Sequence, residues 1–116
     1  MTDKAPKLLV DAIEAISAAQ EFLAGTSFAQ YLTDKMRRSA VERQLEILGE
    51  AGSRLAKLEP QWAEGIVNLK LAIGLRNRII HGYDAVDDGI VFHTVIDDLP
   101  ALKVELAKLL KQRTSD

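Results

Sequence analysis

The chain has no cysteine, which excludes a disulfide framework and a thiolate zinc site. Histidine occurs only twice, at His81 and His93, so a histidine-rich metal centre is not expected either and the chain reads as free of metal and cofactor. Aromatic residues make up 5% of the sequence, too few for the alternating aromatic and β-branched pattern of a sheet sandwich. No apolar run approaches the roughly 20 residues needed to cross a bilayer, and residues 1–6 show no charged start leading into a signal-peptide core. The expected location is the cytoplasm, with no membrane partner. A broadly basic surface is missing as well: the net charge is −2 and the pI about 5.7, so any contact with nucleic acid has to be local.

What is present is Ala, Leu and Ile at helical spacing. The 116 residues suit one domain, 1–116, close to the size at which a second subunit helps. There is no internal repeat, low-complexity segment or linker. A first helix is predicted over about 3–24 through Leu9, Ile13, Ile16 and Leu23, stopped by Gly25. Thr26 or Ser27 caps a short piece, 28–32, and Thr33 or Asp34 caps a long helix to about Lys57 with Val41, Leu45, Leu48 and Leu55 on its stripe. Gly49 and Gly52 each cost roughly 1 kcal/mol inside a helix, which points to a close helix crossing. Glu46 and Glu50, four apart, can accept hydrogen bonds from a neighbouring helix or stand as a solvated pair. Pro60 ends that helix, and 62–67 forms a short piece laying Trp62 on the core. A further helix from about Leu69 stops at Gly82. Asp87 or Asp88 caps another over 89–97, which Leu99-Pro100 kinks or replaces by a new one, and Leu102 to Leu110 is amphipathic. The predicted fold is all-α, an antiparallel bundle of four to five helices.

One stretch, Leu75 to Tyr83, sets polar side chains into an apolar helical pattern. At about 100° per residue, Arg76 falls in the middle of the apolar face between Leu69, Ile80, Ala72 and Ile79, while Asn77 and His81 share another face with Lys70 and Gly74. A guanidinium keeps its proton, so one set among apolar side chains must be paired or solvated. His81 falls in the last helical turn, where the macrodipole favours a cation. An imidazole, an amide and a fixed cation suit phosphoryl transfer on RNA, whose 2′-hydroxyl is its own nucleophile. His81 would take the proton from that hydroxyl or return one to the leaving oxygen. Arg76 would neutralise the phosphate oxygens, and Asn77 would orient the phosphate or the histidine. Arg76 and His81 lie about 140° apart on one ideal helix. A homodimer in which this helix pairs with its copy would bring the two sets together, and the apolar surroundings of Arg76 are read as that seam.

The basic residues gather in two runs, Lys35, Arg37, Arg38, Arg43 and Lys70, Arg76, Arg78. Asp84, Asp87, Asp88, Asp97 and Asp98 form an acidic stretch, so a polarised molecule is expected, although each run taken alone is an ordinary solvated face.

The order Arg76-Asn77-x3-His81-x-Tyr83 resembles the Arg-x4-His-x-Tyr motif of the HepT toxins, a branch of the HEPN superfamily of helical ribonucleases. Residues Glu42 to Ala51 are similar to the second-helix signature of that family. Gly82 to Asp87, Ile90 to Phe92 and Leu99 to Leu102 are similar to its C-terminal half, so the likeness covers about 8–110. Phe92 departs from it, since tryptophan is common there, and affects packing only. The resemblance implies a HEPN-like, dimeric, metal-independent endoribonuclease toxin with Arg76, Asn77 and His81 as its catalytic set. It also implies a partner, a nucleotidyltransferase antitoxin of the MNT type that silences the toxin by AMP transfer to Tyr83, adding bulk and negative charge beside the cleft. Two other readings stand beside it. One is a non-catalytic helical dimer that docks and regulates a nucleotidyltransferase through the acidic segment 84–98. The other is a plain dimerisation module with a polar seam that fixes register.

Overall fold

A computed structural model of the chain describes residues 2–82 and 86–114. Among the described residues the fold is helical throughout, without strands. The elements are α1 (Ala5–Leu23), α2 (Phe28–Thr33), α3 (Lys35–Leu58), α4 (Pro60–Gly65), α5 (Val67–His81), α6 (Asp88–His93), a π-helical turn (Thr94–Asp98) and α7 (Leu99–Thr114). The long units are α1, α3, α5 and the continuous α6–π–α7 segment, with α2 and α4 as short connectors. No helix is long and apolar enough to cross a membrane among the described residues.

Local chemistry accounts for the boundaries. The Asp3 carboxylate accepts the Ala5 N–H at 3.1 Å to start α1, and Gly25 ends the turn after it in the left-handed region, φ +72°. Ser27 and Gln30 form a reciprocal capping box on α2. Asp34 accepts the Arg37 N–H at 3.0 Å to cap α3, which ends at Leu58, two residues ahead of Pro60. Asp87 accepts from the Gly89 and Ile90 N–H groups at 2.8 and 3.1 Å, capping α6. The predicted kink at Leu99-Pro100 takes the form of the π turn. Pro100 has no N–H to donate and its ring would meet the preceding carbonyls, and the wider turn relieves this, the Leu99 N–H reaching back five residues to the Thr94 carbonyl.

The core lies between α1, α3 and α7, filled by fully buried Leu9, Ile16, Val41, Leu48, Leu55, Leu99, Leu102 and Leu106. α5 lies outside α3 and closes the core with Leu69, Ala72, Leu75 and Ile79. Its N-terminal end is tied to the π turn by Asn68, which donates to the Asp98 carbonyl at 3.3 Å. Phe92 packs between Phe28 and Tyr31, ring centroids 5.3 and 5.5 Å away, joining α2 to α6. The basic run at the start of α3 is neutralised from nearby: Arg37 pairs with Asp34, Arg43 with Glu46, and Arg38 with Asp88 at 3.8 Å, which brings the start of α6 onto α3.

At the far end, Arg113 of α7 donates to Asp3 at 2.7 Å and to Glu59 at 2.7 Å, with its guanidinium 5.3 Å from the Trp62 ring. Trp62 is therefore half-buried against the core, as its apolar body and the cation above it require. The Arg113 hydrogen bonds, with help from the Ala5 N–H and from Gln61, hold the carboxyls of Asp3 and Glu59 below their ordinary values. A carboxyl whose pKa is lowered by folding contributes stability above its unfolded pKa and loses it as pH falls through the folded value. Arg113→Gln is therefore expected to be less stable than the wild type at neutral pH, with the gap closing toward about pH 3, below the ordinary carboxylate range. Urea midpoints measured across that range check this; a gap that does not change with pH would show that the ion pairs contribute nothing.

Candidate active site

The site is built where α5 crosses α3. A Cβ placed on Gly49 would lie 2.1 Å from the Arg76 Cβ, 2.7 Å from its Cγ and 3.1 Å from the Ala72 carbonyl oxygen, and one on Gly52 would lie 3.0 Å from Leu69 Cδ1. The two glycines remove the side chains that would hold the helices apart, and the Arg76 stem lies directly over the bare backbone of Gly49. The close crossing expected from Gly49 and Gly52 is thus present, and its main occupant is an arginine.

Arg76 is largely buried, its side chain 26% exposed, and one Nη lies 2.9 Å from the Glu50 carboxylate as an ion pair. Glu50 also accepts from Arg54 at 3.1 Å. Of the two glutamates open to a neighbouring helix, Glu50 takes that role, while Glu46 pairs within its own helix with Arg43 at 3.0 Å. The second Arg76 Nη donates to Asn77 Oδ1 at 3.2 Å, which turns the guanidinium out of the core toward the polar side of α5. The buried Nε–H has no partner among the described residues, a deficit of about 1–3 kcal/mol for a neutral group and more for a charged one. An apolar side chain of the same length would avoid that cost.

The apolar surroundings of Arg76 come from α3 of the same chain, and they are not the exposed seam that the sequence pattern suggested. Periodicity identifies an apolar face without saying whose surface covers it. Asn77 and His81 are exposed, with Lys70 and Gly74 on the same side of α5. Two apolar side chains flank this row, Ile80 on one side, 37% exposed, and Val67 on the other, 76% exposed. Gly82 ends the helix by donating its N–H to the Arg78 carbonyl at 2.9 Å, so His81 occupies the last turn as its position predicts. Tyr83 lies outside the described residues. The structure therefore brings together Arg76 and Asn77 by a direct hydrogen bond and sets His81 one turn beyond Asn77. Glu50 completes the constellation; in the sequence it is marked by its spacing from Glu46 and by its place in the Glu42 to Ala51 stretch.

This arrangement offers a fixed guanidinium hydrogen-bonded to an amide, and an exposed imidazole one helical turn beyond that amide. Phosphate recognition and proton transfer are the chemistry that such a set performs. Comparison with known proteins places the chain in a family of ribonucleases. The description "Ribonuclease HepT-like" belongs to the family profile that matches residues 12–109. Over 109 residues, 89% of this chain and 93% of the relative, the sequence is 36% identical to a Thermococcus cleftensis protein named "Probable ribonuclease HepT". It is 35% identical over 98 residues, 84% of the chain and 89% of the relative, to a Methanocaldococcus jannaschii protein named "Putative RNase MJ1380". A Caldanaerobacter subterraneus protein named "Putative RNase TTE0752" is 32% identical over 92 residues, 79% of the chain and 81% of the relative. No solved structure matches the chain.

The crossing can be tested by adding one methyl group. Gly49→Ala gains roughly 1 kcal/mol of helix propensity but overpacks the Arg76 stem by about 1–3 kcal/mol, so a net loss of stability is expected. Gly74→Ala is the control, since a Cβ there meets nothing within 4 Å, and it should gain about 1 kcal/mol from propensity alone. Urea unfolding of both variants decides the matter: a stabilised Gly49→Ala protein would mean that the crossing is looser than described.

Proposed function

The chain belongs to the ribonuclease HepT-like family, and from that membership we propose that it is a metal-independent endoribonuclease toxin acting in the cytoplasm. The carrying observation is the Arg76 guanidinium, anchored on Glu50 and turned by Asn77 toward the side of α5 that presents His81. In the proposed reaction His81 removes the proton from an RNA 2′-hydroxyl. The 2′-oxygen then bonds to the adjacent phosphorus as its bond to the 5′-oxygen breaks, the proton held on His81 is returned to that leaving oxygen, and the products end in a 2′,3′-cyclic phosphate and a 5′-hydroxyl. Arg76 neutralises the charge that gathers on the non-bridging oxygens, where a preorganised cation contributes most. Asn77 positions the guanidinium and the phosphate.

The functional unit is proposed to be a homodimer. Val67 and Ile80, exposed on either side of the Lys70, Asn77 and His81 row, favour pairing of α5 with its copy about a two-fold axis. The RNA phosphate then meets groups from both chains. Regulation by an MNT-type nucleotidyltransferase antitoxin follows from the family motif. Transfer of AMP from ATP to the Tyr83 hydroxyl, with pyrophosphate leaving, would put a bulky anion two residues from His81 and repel the substrate. The alternative, a non-catalytic dimer that docks a nucleotidyltransferase, draws on the exposed Asp87 and Asp97. It gives no reason for retaining an arginine with an unpaired buried N–H.

Two outcomes are expected. Unmodified protein should cut single-stranded RNA in EDTA and leave 2′,3′-cyclic phosphate ends. His81→Ala should slow this by about 10²–10⁴-fold with a stability change within roughly 0.5 kcal/mol, since the side chain is exposed. Cleavage by His81→Ala at near the wild-type rate would remove histidine from the mechanism. In sedimentation at micromolar concentration the wild type should run as a dimer; a monomer that still cuts RNA would separate the chemistry from the pairing.

A further inference from the structure

A cavity of about 230 Å³ lies between the C-terminal turn of α5 and the start of α6. Its apolar walls are Leu75, Val86 and Ile90, and its polar groups are Arg78 and Asp87. It adjoins the His81 row, because Arg78 sits one turn before His81 and only about 60° around the helix from it. Its carboxylate is set in place. Asp87 Oδ1 is held by the Gly89 and Ile90 N–H groups, which fixes the carboxylate plane and leaves Oδ2 without a partner among the described residues. The start of α6 is itself tied to α3 by the Asp88–Arg38 pair. No ion pair joins Arg78 and Asp87 among the described residues, so neither neutralises the other.

An apolar slot with one carboxylate and one guanidinium, beside a phosphate-handling edge, matches a nucleobase splayed out of single-stranded RNA. We infer that this cavity is a guanine subsite for the RNA substrate, in which Asp87 accepts from guanine N1–H and N2–H and Arg78 donates to O6 and N7. Guanine is the base that offers two adjacent N–H donors to a carboxylate together with acceptors suited to a guanidinium. Adenine offers one such donor group, and uracil lacks the exocyclic amine. The role in choosing the cleavage position rests on the ribonuclease reading; the base preference of the cavity does not.

The test therefore has two arms. In the first, binding of guanosine 3′-monophosphate is compared with that of adenosine and uridine 3′-monophosphates by calorimetry, on wild type and Asp87→Asn. Asparagine keeps an oxygen for the α6 cap but turns N–H groups toward the guanine donors. Wild type should favour the guanosine nucleotide about tenfold, and Asp87→Asn, folded by circular dichroism, should lose that preference. Equal binding of the three nucleotides by wild type, or a preference that survives in Asp87→Asn, overturns the subsite. In the second arm, fragment ends from a random-sequence single-stranded RNA pool should carry guanine at one fixed position beside the cut, enriched about tenfold and lost in Asp87→Asn. Guanosine preference in binding with no RNA cut would remove the ribonuclease reading and leave the subsite standing. Cutting without any guanine bias would do the reverse.

Discussion

Everything at the site depends on the contact between the bare backbone of Gly49 and the stem of Arg76. With no side chain on Gly49, α5 can approach α3 closely enough for Leu69, Ala72 and Leu75 to close the core. The same contact lays the Arg76 methylenes on α3 and delivers the guanidinium to Glu50 at 2.9 Å. Packing and placement of charge are one event here. The electrostatic balance is less favourable than the packing, because a half-buried ion pair must offset its own desolvation and the Arg76 Nε–H is left unpaired. A helix crossing made for stability alone would carry leucine or methionine at position 76. That an arginine occupies it is what the proposed role of the residue in RNA cleavage would explain.

The rest of the molecule keeps the outward edge of α5 in place and in reach. α4 and the Asn68 hydrogen bond hold its N-terminal end. The α6 segment is fixed by the Asp87 cap, by the Arg38–Asp88 pair and by Phe92 between Phe28 and Tyr31. The polar row of Lys70, Asn77 and His81 is thus framed by ordered elements, with no long helix laid across it. Overall the chain is slightly acidic, but the local surface of α5 is not: Lys70, Arg78 and His81 are exposed there, and neither Lys70 nor Arg78 is paired with a carboxylate among the described residues. Local positive potential of that kind is what a short RNA contact needs.

Much of this could be read from the residues. Helix boundaries follow from Ser27, Asp34, Pro60, Gly82 and Asp87 because caps and breakers act through the backbone next to them, and such short-range effects are written in adjacent letters. The Gly49–Gly52 crossing was legible for a related reason: glycine inside a helix is costly unless something comes close. The identity of that something was not. Periodicity places Arg76 on an apolar face but does not distinguish another helix of the same chain from a second subunit, so the same pattern fits a seam between subunits. Glu50 could not be told from Glu46 without knowing which of them faces α5. Arg113, 110 residues from Asp3 in sequence, leaves no local trace of its ion pairs. At Leu99-Pro100 a break was legible, but the π turn that resolves it depends on how α7 must lie on α1.

The claim at the centre of this picture is that Arg76 is held in the crossing for the reaction and not for the fold. The most direct measurement is the single-turnover RNA cleavage rate of Arg76→Met, which keeps the stem over Gly49 and removes the charge. The expected result is a folded protein, no less stable than wild type by more than about 1 kcal/mol, in which cleavage is lost. Cleavage within a few-fold of the wild-type rate by that variant would contradict it, and would leave the arginine as a structural residue with its cost unexplained.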